Sequence, residues 1–159
     1  MVQWQGDLLA IGATENDMAR DENSKFKNPL LQQLDSELNG LLSAASSEED
    51  FSGKSGQSVN LRFPGGRISL VGLGSSASSP TSYHSLGQAA AAAARSSQAR
   101  NIAVALASTD GLSAESKINS ASAIATGIHI YMFIFLVNHI EKQNLISFLE
   151  CCRSCARVI

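Results

Sequence analysis

The chain has 159 residues, the size of one ordinary domain, so a single hydrophobic core is expected. Hydrophobic residues make up 44% and charged residues 16% of the sequence, a composition that excludes an intrinsically disordered chain. The net charge is -2 and the basic residues are scattered singly, which argues against a nucleic-acid-binding surface, where Lys and Arg cluster with aromatic residues.

The first predicted strand region spans residues 2–13, where Val2 and Trp4 alternate with polar residues before an apolar run that reaches Gly12. Residues 14–27 are rich in charge and Asn and show neither strand nor helix periodicity, so they are predicted as a loop. The first residues resemble neither a signal peptide nor a transit peptide, which predicts a cytoplasmic location. The alternative is a plastid location, if a targeting segment is missing from this sequence.

A long helix is predicted to begin at Asn28-Pro29, because Asn can cap the free amides and Pro has its φ preset for the first helical position. Apolar residues then recur on one face as far as Ala45. Gly40 lies inside this helix at a cost of about 1 kcal/mol relative to Ala.

Later elements follow from alternation, turn residues and caps. Residues 59–63 and 68–73 are predicted to form an antiparallel strand pair around Pro64-Gly65-Gly66, with the second strand central in the sheet. Three more elements follow: a helix over residues 82–98, a buried strand over 102–107, and a helix capped by Ser113 that ends at Gly127 and carries Ile118, Ala121, Ile124 and Ala125 on one face. This order predicts an α/β fold with a mixed, mainly parallel sheet between helices.

One segment fits a phosphate-binding pattern. Gly72-Leu73-Gly74 begins a loose G-x-G-x-x-G/A match after a predicted strand, which makes Gly72 and Gly74 candidate nucleotide-binding residues. Pro80 and a Ser-rich stretch delay the helix, and no acidic residue follows about 20 positions later. A tight turn that ends a buried strand is therefore the favoured interpretation.

The composition changes at Ile128. Up to Gly127 the chain is rich in Ala, Ser and Gly, whereas an apolar, strand-prone run covers residues 128–137 and is shorter than the roughly 20 residues needed to span a bilayer. The cysteines, Cys151, Cys152 and Cys155, form one C-x-x-C pair downstream of His129 and His139. Structural zinc sites usually combine two such half-sites, so free thiols are the favoured interpretation.

The first 127 residues resemble the leucine aminopeptidase family, most closely its plant members, through short segments in a specific order. These segments are Trp4 to Ala10, Asn23 to Phe26, Asn28 to Leu31, Gln33 to Asp35, Ser46 to Lys54, Val71 to Gly74, Ala105 to Ser108, Asp110 to Glu115 and Asn119 to Gly127. No single segment is diagnostic, but their joint order is specific.

The resemblance implies a macro-domain-like, three-layer α/β unit that helps to build a hexamer, with complete leucine aminopeptidase subunits as partners. In the family a second domain carries the reaction, using two divalent metals (zinc or manganese) and the segment Asn-Thr-Asp-Ala-Glu-Gly-Arg. Two-metal hydrolysis needs several converging acidic ligands. This sequence lacks that segment. The most similar segment here, Ser108 to Gly111, is interpreted as a turn.

We therefore expect a non-catalytic domain over residues 1–127, with no catalytic or metal-binding residue, no cofactor of its own and neither nucleic acid nor membrane as a partner. Residues 128–159 are expected to be an unrelated, apolar, Cys-containing tail of poor order, added to a domain truncated at its C-terminal end by alternative splicing or read-through. The alternative function is a macro-like module that binds ADP-ribose or a nucleotide, although fold alone does not confer this.

Overall fold

The computed structural model describes residues 6–63, 65–75, 79–109 and 112–140, with the backbone alone for residues 131–140. These residues form four strands and four helices. In chain order they are β1 (Leu8–Ala13), α1 (Pro29–Glu37), α2 (Leu41–Glu48), β2 (Ser58–Phe63), β3 (Gly66–Gly72), α3 (Pro80–Ser97), β4 (Ile102–Leu106) and α4 (Ala114–Ile140).

The strands form one mixed sheet in the order β2-β3-β1-β4. β1 is parallel to both β3 and β4, while β2 pairs with β3 in antiparallel fashion, with Leu61 opposite Ile68. The predicted antiparallel pair, the central position of its second strand and the mainly parallel sheet are thus confirmed.

β4 differs from its prediction as a buried strand. All five of its residues are only half-buried, because β4 lies at one edge of the sheet that the described residues form. Its side chains include no charged group, unlike those of the opposite edge strand β2, which carries an exposed Arg62.

One face of the sheet is covered by α1, α2 and the loop before them. Its buried side chains are large: Ile11, Phe26, Leu31, Leu42, Phe51, Ile68 and Leu70 all contribute to one cluster. Each side chain of this size that leaves water contributes about 1.5 to 3 kcal/mol. This cluster is the main hydrophobic core.

The predicted single helix over α1 and α2 was wrong, because the chain breaks at Gly40. Asn39 and Gly40 both adopt the left-handed conformation, with φ of 54° and 83°, which stops an α-helix and favours glycine. Gly40 then starts α2 without a side chain to cap it. The carboxylate of Asp35 substitutes by accepting a hydrogen bond from the Ser43 N–H at 2.8 Å.

The other face of the sheet is covered by α3 and α4, which pack closely against each other. Gly87 and Gly127 lie at their crossing: a Cβ on Gly87 would collide with the carbonyl oxygen of Ile124, and one on Gly127 with that of His84. Only glycine at both positions lets the two backbones approach this closely. Gly127 is buried inside α4, so the predicted helix end at Gly127 was wrong.

α4 also differs in the face that it buries. Ile118 is 66% exposed and Ala125 is exposed, whereas Ser120 and Ile124 are buried together with Gly127. The helix begins as predicted, with the Ser113 hydroxyl accepting the Ser116 N–H at 3.1 Å.

The segment after Gly127 is helical through Ile140, so the prediction of a strand-prone run over residues 128–137 was wrong for the backbone. Residues 141–159 lie outside the described residues, and the division of the chain at residue 127 stays a prediction. In the part of the chain that is described, no helix is both long and apolar enough to cross a membrane.

Candidate functional site

The carboxyl ends of the three parallel strands form the natural place for a site. β1, β3 and β4 end side by side, at Ala13, Gly72 and Leu106. In open α/β sheets, ligands usually bind in the crevice beyond these strand ends. The three segments that follow the strands are therefore the first candidates.

The segment after β3 contains both candidate nucleotide-binding residues, Gly72 and Gly74. Its amides are already engaged: the Gly72 N–H donates to Gln57 O at 2.9 Å, Leu73 N–H to Ala13 O at 2.9 Å, and Gly74 N–H to Gly53 O at 2.9 Å. A phosphate-binding loop needs such amides to point at the ligand. These three serve the fold instead, and nucleotide binding here stays a prediction.

Gly72 has a packing reason to be glycine. A Cβ at this position would collide with the carbonyl oxygen of Lys54, and Gly53 is itself left-handed, with φ of 81° and its α-carbon pressed against Thr14. The loop around Gly53 thus lies directly across the ends of β1 and β3. This close approach of backbones accounts for the glycines without a ligand.

The segment after β1 holds a buried polar network that the sequence did not reveal. Both the N–H and the hydroxyl of Thr14 donate to Asp17 Oδ2, at 2.9 and 2.7 Å. The amide nitrogen of Asn28 donates to Asp17 Oδ1 at 2.7 Å and to Ala107 O, after β4, at 2.9 Å. Every buried side-chain polar atom in the described residues has a partner.

Asn28 has a second role in this network, which confirms the predicted start of α1. Its Oδ1 accepts the N–H groups of Leu30 and Leu31, at 3.0 and 3.2 Å. The positive end of the α1 dipole is therefore capped from within the chain. The cluster links the ends of β1 and β4 to α1, and its donors and acceptors are directed at one another rather than at solvent.

A second polar contact fixes the loop before α1. Arg20 donates to Ser43 Oγ at 2.9 Å and to Ser46 Oγ at 2.8 Å, both on α2, and its guanidinium lies 5.0 Å from the centroid of the Phe26 ring. Arginine suits this position because its planar fork can donate several bonds while stacking on a ring. The loop is thereby held against the main core.

The other candidate ligands are not brought together. Among the residues described, no group of three or more His, Cys, Asp or Glu side chains could hold a metal ion. His129 is exposed on α4, and nothing is described of the His139 side chain. Asp110, Gly111 and the cysteines lie outside the described residues, so the turn and free-thiol interpretations stay predictions.

Two open grooves lie away from the strand ends. One, of about 390 Å³, runs between the exposed face of β2 and α3 and is lined by Ser58, Asn60, Ser69, Ala89, Arg95 and Ser96 among others. The other, of about 610 Å³, lies along α1 and includes Lys25, Asp35, Asn39 and Gly40. Neither combines an apolar cavity with convergent titratable groups, as small-molecule sites usually do.

Comparison with known proteins gives the chain a context. The N-terminal domain of the cytosol aminopeptidase family matches residues 10–135. The chain is 96% identical over 133 residues to leucine aminopeptidase A2, chloroplastic, from Solanum lycopersicum, a match that covers 84% of this chain and 23% of the relative. It is 52% identical over 136 residues to leucine aminopeptidase 1 of Arabidopsis thaliana, covering 84% of this chain and 26% of the relative.

The solved structure of a tomato leucine aminopeptidase mutant has the same fold, with a TM-score of 0.80 at 95% identity over 82% of this chain and 26% of that chain. The chain therefore spans about a quarter of the length of these relatives. Several relatives are named chloroplastic, which fits the plastid alternative and leaves the cytoplasmic prediction unconfirmed. The match to the family runs past Gly127 to residue 135, as α4 does.

Proposed function

Since the chain belongs to the cytosol aminopeptidase family and contains its N-terminal domain, we propose a structural role for it. This domain is a non-catalytic unit that associates with complete leucine aminopeptidase subunits. The matched segment covers 23% of leucine aminopeptidase A2, and the catalytic domain lies outside it. Its role is therefore sought in surfaces rather than in reacting groups.

The exposed edge strand β4 is the main support for this proposal. An edge strand presents unpaired N–H and C=O groups, and natural proteins usually protect it with charges, proline or a covering element. β4 has the sequence Ile-Ala-Val-Ala-Leu, its five residues are all half-exposed, and no strand described here pairs with its outer side. Such an edge is suited to pairing with another polypeptide segment.

α4 adds two exposed apolar side chains. Ile118 and Ile130 are 66% and 39% exposed, on a helix whose inner side, with Ile124, is already buried. A helix that is hydrophobic on more than one side is typically covered on more than one side. Together with β4, these residues favour a structural role for the domain in an assembly.

A peptidase assay tests the non-catalytic part of the proposal. The purified chain is incubated with manganese or zinc and a leucyl chromogenic substrate, beside a complete leucine aminopeptidase at the same molar concentration. No turnover by the chain is expected. Chelator-sensitive hydrolysis at a rate close to that of the complete enzyme would refute it.

We also propose a plastid location, because relatives 96% and 87% identical to the chain are named chloroplastic. Fractionated leaf cells, probed by mass spectrometry for a peptide from residues 143–153, which lie beyond the family match, test this. The peptide is expected in the plastid fraction, and its presence in the cytosolic fraction alone would contradict the proposal.

A further inference from the structure

The junction between α1 and α2 places an asparagine directly before the glycine that breaks the helix. Asn39 is exposed, and both Asn39 and Gly40 are left-handed. The space around the Gly40 α-carbon is open, since a Cβ there would meet no atom within 4 Å. The Asn39–Gly40 junction is therefore exposed at Asn39 and uncrowded at the Gly40 α-carbon.

We propose that Asn39 is a site of spontaneous deamidation, and that Asp35 controls its rate. In this reaction the backbone nitrogen of Gly40 attacks Cγ of Asn39, a C–N bond forms, and the bond from Cγ to the side-chain amide nitrogen breaks. Ammonia leaves with the proton lost from Gly40, and a succinimide ring remains. Water then opens the ring at either carbonyl, which gives aspartate or isoaspartate, and no other reactant is needed.

The native hydrogen bonds hold this reaction back. The Gly40 N–H, whose nitrogen must attack, donates to the backbone oxygen of Asp35 at 2.8 Å. The carboxylate of the same residue accepts the Ser43 N–H at 2.8 Å, which ties the first turn of α2 to α1. The ring can therefore close only after the junction opens locally, an event that is separate from global unfolding.

Other asparagines in the described residues provide internal comparisons. Asn28 precedes Pro29, which has no backbone N–H and so cannot attack in the same way. Asn23 precedes Ser24, whose side chain crowds the attack, in an exposed turn where the Ser24 N–H donates to Asp21 O at 3.0 Å. Asn60 and Asn119 lie within β2 and α4, where the hydrogen bonds of regular secondary structure restrain the backbone.

Conversion of Asn39 to aspartate or isoaspartate would disturb the main core. Isoaspartate inserts a methylene group into the backbone at position 39, directly between Leu38, which is 8% exposed, and Leu42, which is fully buried. Either product also adds a negative charge close to Asp35 and Glu37. Conversion of Asn39 is therefore expected to loosen the packing of α2, so that the modified chain is less stable than the original.

The test follows the conversion of each asparagine in the full chain by tryptic digestion and mass spectrometry, during incubation in mildly alkaline buffer made with heavy-oxygen water. Cleavage after Lys27 and Lys54 yields one peptide that contains both Asn39 and Asn28, while cleavage after Arg20 and Lys25 isolates Asn23. Asn39 is expected to convert first, with incorporation of heavy oxygen, and several-fold faster in urea than in the folded chain.

Variants separate local control from general instability. Asp35→Ala removes the carboxylate that ties α2 to α1 and is expected to speed conversion of Asn39 several-fold without changing that of Asn23. Asp7→Ala is the matched control, since it removes a carboxylate that accepts two backbone N–H groups at a distant point. Equal acceleration by both variants, no effect of Asp35→Ala, or conversion of Asn23 before Asn39 would each overturn the proposal.

Discussion

The two faces of the sheet are closed in different ways. The face under α1 and α2 is filled by large side chains such as Phe26, Leu31 and Leu42, which interlock in one cluster. The face under α3 and α4 has a smaller cluster of large side chains, formed by Val71, Leu73, Tyr83, Leu86 and Ile124. It also has small residues where α3 and α4 cross, with Gly87 and Gly127 each lying against the backbone of the other helix. The first face thus depends mainly on buried volume, whereas the second also depends on close approach of backbones.

This difference predicts opposite sensitivities. A core filled by large side chains is damaged when volume is removed, because a cavity is left. A contact between helix backbones is damaged when volume is added, because the helices must separate. Removing side-chain volume from the first face and adding volume at the helix crossing on the second should therefore both destabilise the domain.

The largest effect is expected for Leu42→Ala in α2. Leu42 is fully buried, so its truncation should lower the free energy of unfolding by about 2 to 5 kcal/mol. Urea denaturation followed by circular dichroism measures the loss. The neighbouring Leu41→Ala is the control, since Leu41 is 50% exposed, and equal losses for the two variants would contradict the packing described for this face.

A smaller loss is expected for Gly127→Ala in α4. The added methyl group meets the His84 carbonyl oxygen, and overpacking of this kind costs about 1 to 3 kcal/mol. The better helix propensity of Ala offsets this by up to about 1 kcal/mol. Thermal unfolding compares this variant with Ser122→Ala, an exposed change on the same helix. A rise in melting temperature for Gly127→Ala would show that the two backbones do not touch.

The smallest effect concerns Asp7, which belongs to neither face. Backbone N–H groups of Arg100 and Asn101 donate to its carboxylate and lower its pKa below the ordinary value. A lowered pKa means that the stabilisation is complete above the ordinary pKa of the carboxyl and is lost as the pH falls through the lowered one.

Melting temperatures of the original chain and Asp7→Asn, measured across acidic pH, test this. The original chain should melt higher near neutral pH, and the difference should shrink as the solution is acidified through the lowered pKa. A difference in melting temperature that widens as the pH falls would contradict a lowered pKa for Asp7.

Local signals in the sequence predicted much of this fold. The turn residues between β2 and β3 and the cap at Asn28 each act over a few positions, so their effect can be deduced without knowing the rest of the molecule. The break at Gly40 was missed because the apolar stripe continues across it with helical spacing. Burial of that stripe can be satisfied by one helix or by two, and the sequence pattern does not distinguish them.

Gly127 shows a different reason for error. Glycine ends helices, but it also permits close packing, and only the approach of the α3 backbone at His84 distinguishes the two roles. The Asp17 network escaped prediction for the same reason, since Asn28 and the carbonyl of Ala107 reach Asp17 only after the sheet has formed. Such contacts between distant segments are not visible in local periodicity.

The proposed contribution of this domain to the structure of an assembly can be measured by sedimentation velocity. The fluorescently labelled chain is mixed with complete tomato leucine aminopeptidase, alone and after co-refolding, and the sedimentation of the label is followed. Co-sedimentation with the complete enzyme is predicted, and replacement of Ala103 in β4, which is half-buried, by Lys should weaken it. A folded chain that sediments as a monomer under every condition would contradict the claim.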